Sequence, residues 1–177
     1  MRTRIYTVES VTCGHPDKVC DQISDAVLDE CLRQDPASRV AVEAFGGHGL
    51  LIVGGEVTTS AVFDAERIAR DVYHDVGYTE DLRVITNIVQ QSPDIAMGVD
   101  TGGAGDQGIM YGYATDETKE FMPKGVVIAH ALTHGLENLR TSGVIPWLGP
   151  AGKSQVTIEL GRVKTVLVSA QHDKYAS

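Results

Sequence analysis

The run His15-Pro16-Asp17-Lys18 sets an imidazole, a carboxylate and an ammonium side by side, immediately ahead of an amphipathic stretch. Proline is well placed in a first helical turn, and a helix N-terminus favours anions, so this point of the chain suits phosphate. The plainer alternative is that His15 caps the helix and Asp17 complements its dipole, and the two roles are compatible. Glu43 and Glu56 lie inside otherwise apolar strands, where an unpaired carboxylate is costly and calls for a partner. Their plain alternative is the wet face of an antiparallel hairpin. Two further patterns resemble chemistry only superficially. Gly103-Ala104-Gly105-Asp106-Gln107-Gly108 satisfies the dinucleotide fingerprint, but that pattern needs a strand before it and a helix after it. Here a glycine loop precedes it and the strand-like IMYGYAT follows. His130 and His134 share a helical face at zinc-enzyme spacing, yet no glutamate lies between them and no third ligand follows. Two histidines on a partly exposed face is the simpler reading, as a solvated helix side is for Asp21, Asp25, Asp29 and Glu30.

The elements that must position these residues read as follows. A strand over about Ile5 to Val8 precedes a helix whose Val19, Ile23, Val27 and Cys31 form one stripe, closed by Asp35-Pro36. SRVAVEAF and LLIVGGEVTT flank Gly46-Gly47-His48-Gly49 and predict a hairpin. AVFDAERIARDVYHDVG predicts a second helix stopping at Gly77, and LRVITNIVQQS a strand. Five glycines between Met97 and Gly108 predict a loop, and IMYGYAT a further strand. Pro123 opens a third helical pattern reaching Leu139, and SQVTIEL with RVKTVLVSAQ makes a last hairpin around Gly161. The order β-α-β-β-α-β-loop-β-α-β-β predicts an α+β fold, with helices packed on one face of mainly antiparallel sheets. No internal repeat, low-complexity tract or linker stands out.

A chain of 177 residues, 42% apolar, can bury roughly 70% of its unfolded surface without a disulfide or metal staple. Its formal net charge of −9 excludes a nucleic-acid binder that works by neutralising phosphates, while leaving room for a local cationic pocket. Cys13, Cys20 and Cys31 are odd in number and contain no C-x-x-C pair, which points to a reducing cytoplasm. The opening MRTRIYTVESVTCGHPDK lacks an apolar signal region, and no stretch approaches the roughly 20 apolar residues of a membrane span. A cytoplasmic protein, neither exported nor inserted, is expected.

Six segments go beyond what composition explains: Glu9-Ser10, Gly14 to Lys18, Gly54-Gly55-Glu56, Gln91 to Ile95, Gly103 to Gly108, and Lys153-Ser154-Gln155-Val156-Thr157. In this order, and with DQISDAVLDE, YATDET and PWL between them, they resemble the N-terminal half of the methionine adenosyltransferase (S-adenosylmethionine synthetase) family. The resemblance covers nearly the whole chain. It implies pseudo-repeated α+β domains whose segments interleave along residues 1–177, with the C-terminal half absent and large apolar sheet faces exposed. It also implies transfer of the adenosyl group of ATP to the sulfur of methionine, then cleavage of tripolyphosphate to pyrophosphate and phosphate. A thioether carries no proton, so the attack needs positioning and charge stabilisation rather than a general base.

The same resemblance implies roles for single residues. His15 is expected beside the oxygen that leaves C5′, and Lys153 on ATP, these two being the catalytic pair. Asp106 is expected near the adenosine, Glu56 at the methionine ammonium, and Gln91 at methionine where a mobile loop begins. Asp17 and Glu9 are implied as magnesium (Mg2+) ligands and Glu43 as a potassium (K+) ligand. This sequence departs from the family in four ways. Only Thr101-Gly102 separate Asp100 from Gly103, where the usual loop is several residues longer. Ala151 stands where an acidic residue is usual, Cys13 replaces another, and the later lysine-bearing phosphate motifs are missing. The reading is therefore one subunit of a split enzyme, completed by a second, different chain. The alternatives are a noncatalytic regulatory or scaffolding subunit, and a small tripolyphosphate hydrolase that would need neither Glu56 nor Gln91.

Overall fold

The computed structural model describes residues 5–100, 102–104, 107–174 and 176, apart from the side chain of Ala96. The chain divides into two compact units that alternate along the sequence. Unit 1 comprises Met1–Lys18, Val76–Tyr78 and Gly112–Ser177, and unit 2 comprises Val19–Asp75 and Thr79–Tyr111.

Unit 1 is a three-stranded antiparallel sheet in the order β1 (Ile5–Val11), β5 (Leu148–Glu159), β6 (Arg162–His172). Strict alternation in β5 turns Ser154, Val156 and Ile158 inward. There the helix Lys124–Thr141 (α4 in chain order) lays Gly125, Ala129 and Thr133 on β1 and β5. Ala129, Val156 and Ile158 form the buried centre, bordered by Val8, Ile128 and Leu132. Small residues four apart on the helix let it approach closely. Inside, Ser154 Oγ donates to the Ala129 carbonyl at 2.8 Å, and Ser10 and Thr133 hydroxyls bond at 2.9 Å, so the buried polar atoms are answered.

Unit 2 pairs β2 (Arg39–Gly47) with β3 (Leu50–Thr58) antiparallel, and β3 with β4 (Arg83–Gln90) parallel. The β2–β3 turn places His48 at φ 52° and Gly49 at φ 76°, the doubly left-handed two-residue turn that suits strand twist. The helix α1 (Pro16–Gln34) buries the expected stripe, Val19, Ile23, Val27 and Cys31. Ala65, Ile68 and Ala69 of α2 (Ala65–Asp75) are buried too, and Val42, Leu51 and Val53 form the buried face of the sheet. Helices thus cover one face only. On the other, Phe45, Ile52, Ile85 and Val89 are exposed, as are Val163, Leu167 and Val168 of β6 in unit 1.

The α+β architecture agrees with expectation, with three differences. The β3–β4 pair is parallel because α2 carries the chain back across the sheet, as a crossover connection does. A helix of about two turns, α3 (Pro93–Val99), runs into the start of the stretch from Met97 that was expected as a loop. The strand predicted over 109–115 does not form: no strand pairs with it among the described residues, and Ile109, Met110 and Tyr111 are 77–91% exposed.

Candidate active site

In unit 1 the segment between β1 and α1 is fixed by its contacts with β5. Thr12 donates its backbone N–H to the Gly152 carbonyl at 2.9 Å and its hydroxyl to the Pro150 carbonyl at 2.7 Å. Pro150 sits at an irregularity between Leu148 and Gly152, a place where a strand tolerates proline. The Gly14 carbonyl accepts the Tyr78 hydroxyl at 2.6 Å, and the Cys13 thiol donates to Glu137 at 3.3 Å. A Cβ on Gly14 would lie 2.3 Å from Pro150 Cβ and 2.6 Å from its carbonyl atoms. Gly14→Ala is therefore expected to cost about 1–3 kcal/mol through overpacking. It should also displace His15, so that denaturant unfolding and phosphate-analogue binding weaken together; an unchanged midpoint would show that the segment is not wedged.

His15 ends this segment half-buried, its backbone N–H bonded to the Thr12 carbonyl at 3.1 Å. Its Nδ1 accepts the backbone N–H of Asp17 at 3.3 Å, which is a helix cap. An N–H can donate only to a lone pair, so Nδ1 carries no proton in this geometry, and Nε2–H is left as the ring's donor. The capping role and the expected catalytic role thus use opposite sides of one ring. Asp17 Oδ2 is 3.8 Å from Nδ1, and its carboxylate is 92% exposed at the first turn of α1.

Glu9, Lys153 and Gln155 meet on the outer face of the same sheet. Glu9 faces Gln155 across the β1–β5 ladder. Gln155 Nε2 donates to Glu9 Oε1 at 2.7 Å, and Lys153 Nζ lies 3.3 Å from Oε2. The hydrogen bond from Gln155, then that from Lys153, hold the Glu9 carboxyl below the usual glutamate range. Lys153 is thus already partnered by an exposed carboxylate that a stronger anion can outcompete. Ala151 contributes no side-chain group, and its N–H goes to Gln171 at 3.1 Å. Burial, then the Glu137 carboxylate, push the Cys13 thiol up, so Cys13 adds no negative charge beside His15.

Unit 2 carries the other predicted residues. Glu56 is cross-strand from Ala41 and Val89, and Glu43 from Gly54, which makes the two carboxylates diagonal neighbours on the outer, uncovered face. Among the described residues neither forms a hydrogen bond or ion pair. Gln91 follows β4, its N–H extending the ladder to the Val57 carbonyl at 2.9 Å. Its Oε1 accepts from Arg39 Nε at 3.2 Å and from the Thr58 hydroxyl at 3.3 Å. Arg39 Nη1 also pairs with Asp100 at 2.7 Å. Sequence reasoning missed Arg39, because a lone arginine opening a strand reads as a solvated end. Asp106 lies outside the described residues. An open hollow of about 1100 Å³ in this unit is lined by Arg39, Thr58, Asp64 and Asn87, and none of the predicted site residues reaches it.

Among the described residues no group of three or more His, Cys, Asp or Glu converges on a point where it could hold a metal ion. Single exposed carboxylates such as Asp17 still fit magnesium, which keeps several waters and is bound through one or two carboxylates plus substrate phosphates. His130 and His134 are both exposed, and Ser10 Oγ lies 3.3 Å from His130 Nδ1, in keeping with the simpler reading of that pair. No described helix is long and apolar enough to cross a membrane.

The helix start at His15 and Asp17 and the Glu9, Lys153 and Gln155 cluster both lie in unit 1 of this α+β chain. The family model for the S-adenosylmethionine synthetase N-terminal domain matches residues 3–93, and that for the central domain matches residues 101–177. The chain belongs to the S-adenosylmethionine synthetase family. It is 50% identical, over 98% of its length, to S-adenosylmethionine synthase 1 of Rhodopseudomonas palustris and to that of Rhodospirillum rubrum. It is 46% identical over 96% of its length to S-adenosylmethionine synthase of Mesoplasma florum. Each match covers 50% of the relative, so the chain spans about half the length of the curated relatives it matches. The Rhodopseudomonas alignment runs over 191 positions against a chain of 177 residues, so those relatives carry extra residues inside the matched stretch.

Proposed function

We propose that this chain supplies the N-terminal and central part of a cytoplasmic methionine adenosyltransferase, joining ATP and methionine into S-adenosylmethionine, pyrophosphate and phosphate. The observation that carries the reading is the Asp17 N–H donated to His15 Nδ1 at 3.3 Å at the start of α1, which leaves Nε2–H as a donor in the same unit as Lys153 and Glu9. His15 donates to the oxygen leaving C5′, where charge develops in the transition state, and Lys153 moves from Glu9 to the phosphates. Glu56 answers the methionine ammonium, Gln91 positions methionine and Asp106 lies near the adenosine. Asp17 and Glu9 would hold magnesium and Glu43 potassium, ions that neutralise charge along the triphosphate when bound.

Within these 177 residues Lys153 is the only assigned cation facing a strongly anionic triphosphate, with His15 adding a neutral N–H donor, against a net charge of −9. The remaining cations come from residues outside these 177, in the half of the relatives that this sequence does not cover, since a second copy brings only the same residues. The interleaving of the two units supports a fold shared with further segments. The test supplies ATP, methionine, magnesium and potassium to the purified chain, alone and with the complementary segment of a full-length relative. S-adenosylmethionine is expected only in the mixture. Turnover by the chain alone, shown free of host enzyme, overturns the shared-site reading. Phosphate release without S-adenosylmethionine in either sample supports the hydrolase alternative instead.

A further inference from the structure

We infer that Arg39 is a positioning residue for Gln91, a single guanidinium that orients the Gln91 amide and ties together the two ends of α3. The inference rests on the reading of Gln91 as a methionine contact. Arg39 opens β2, in register with Thr58 of β3, and its side chain is 28% exposed. Its Nε donates to Gln91 Oε1 at 3.2 Å, just before α3, and its Nη1 to Asp100 Oδ1 at 2.7 Å, just after α3. The Thr58 hydroxyl reaches the same Gln91 oxygen at 3.3 Å.

The chemistry of the guanidinium decides the rest. Arginine is always charged and has donors but no acceptor, so the Gln91 atom turned toward it is the carbonyl oxygen. With that oxygen engaged and the Gln91 backbone held in the β-ladder by the Val57 carbonyl, the amide nitrogen is the group left to offer. A glutamine released from Arg39 can present either end of its amide and samples several rotamers, so it recognises an acceptor on the ligand less well. The second contact, to Asp100, holds the far end of the seven-residue helix to the same strand. Lysine, with one compact ammonium, cannot reproduce the fork.

The test has two arms. In the 177-residue chain, the side-chain amide signals of Gln91 are followed by nitrogen-15 NMR in wild type, Arg39→Lys and Arg39→Met. They are expected to move toward free-glutamine positions in Arg39→Met and partway in Arg39→Lys, and unmoved signals overturn the inference. In the assembled enzyme, Arg39→Met should weaken methionine binding about 10-fold, the scale of a hydrogen bond to a charged group, with ATP binding within about two-fold. Because Arg39 acts through Gln91, the double variant with Gln91→Ala should bind methionine no more weakly than Gln91→Ala alone. Additive losses, or unchanged methionine affinity in Arg39→Met where Gln91→Ala weakens it, overturn the role of Arg39. Unchanged affinity in Gln91→Ala instead overturns the methionine reading of Gln91, and this inference with it. Should Arg39→Met fail to fold, Arg39→Lys, which keeps the charge, carries both arms.

Discussion

Replacing His15 by alanine is expected to slow adenosyl transfer by roughly 100-fold or more in a single turnover of the assembled enzyme, the scale of losing one preorganised donor. ATP should still bind. The expectation comes from the direction of the ring. Nδ1 is committed to the Asp17 N–H, and Nε2–H is the only polar atom of the side chain free to meet developing charge. Alanine removes the cap as well, at a cost of about 0.5–2 kcal/mol, so a loss of rate could reflect a frayed helix start. His15→Asn separates the two effects. Asparagine is a strong N-cap, so stability should stay within about 1 kcal/mol of wild type. Its amide does not extend as far as Nε2, so the rate should remain as low as in alanine. Wild-type transfer by a folded His15→Asn protein would reduce His15 to a cap.

Changing Glu56 to glutamine is expected to weaken methionine binding by about 1.5–3 kcal/mol, as for a lost hydrogen bond to a charged group. ATP binding should barely move. Glu56 projects from the uncovered face of β3 between Ala41 and Val89, residues that offer it no polar group. Its diagonal neighbour Glu43 reinforces the negative potential there, at a spacing of roughly 7–8 Å, so an arriving ammonium is attracted by both carboxylates. Because Glu56 has no hydrogen-bond or ion-pair partner among the described residues, the substitution should alter folding stability by no more than about 0.5 kcal/mol, which keeps the binding result interpretable. Equilibrium titration with methionine and, separately, with ATP measures the effect, and an unaltered methionine affinity removes Glu56 from the site.

Much of the scaffold behind these two residues is legible in the sequence because its signals are local. The stripe Val19, Ile23, Val27, Cys31 repeats within single turns of α1, and all four are buried. The turn glycines Gly49 and Gly161 both adopt positive φ where hairpins were predicted. Failures occur where structure depends on a partner far along the chain. Ile109, Met110, Tyr111 and Tyr113 read as a strand, but a strand exists only if another pairs with it, and these four remain 74–91% exposed. The parallel β3–β4 pairing is decided by the α2 crossover rather than by residues within either strand. The site shows the same division. The positions of His15, Asp17 and Gln91 follow from short motifs. The pairing of Lys153 with Glu9, and of Arg39 with Asp100, joins residues 144 and 61 apart and leaves no local pattern to read.

That long separation also bears on how the molecule is made. β2, β3 and β4 follow one another within Arg39–Gln90, so unit 2 can begin to close as soon as those residues leave the ribosome. β1 must wait for β5, whose Gln155 lies 146 residues beyond its partner Glu9. Until then Thr12 lacks the Pro150 and Gly152 carbonyls, and Gly14 lacks the proline against which it wedges. Loops this long close slowly, as expected of folds rich in distant contacts. The corner that holds His15, although it precedes β2, β3 and β4 in the sequence, thus acquires its shape only after those three strands are able to pair.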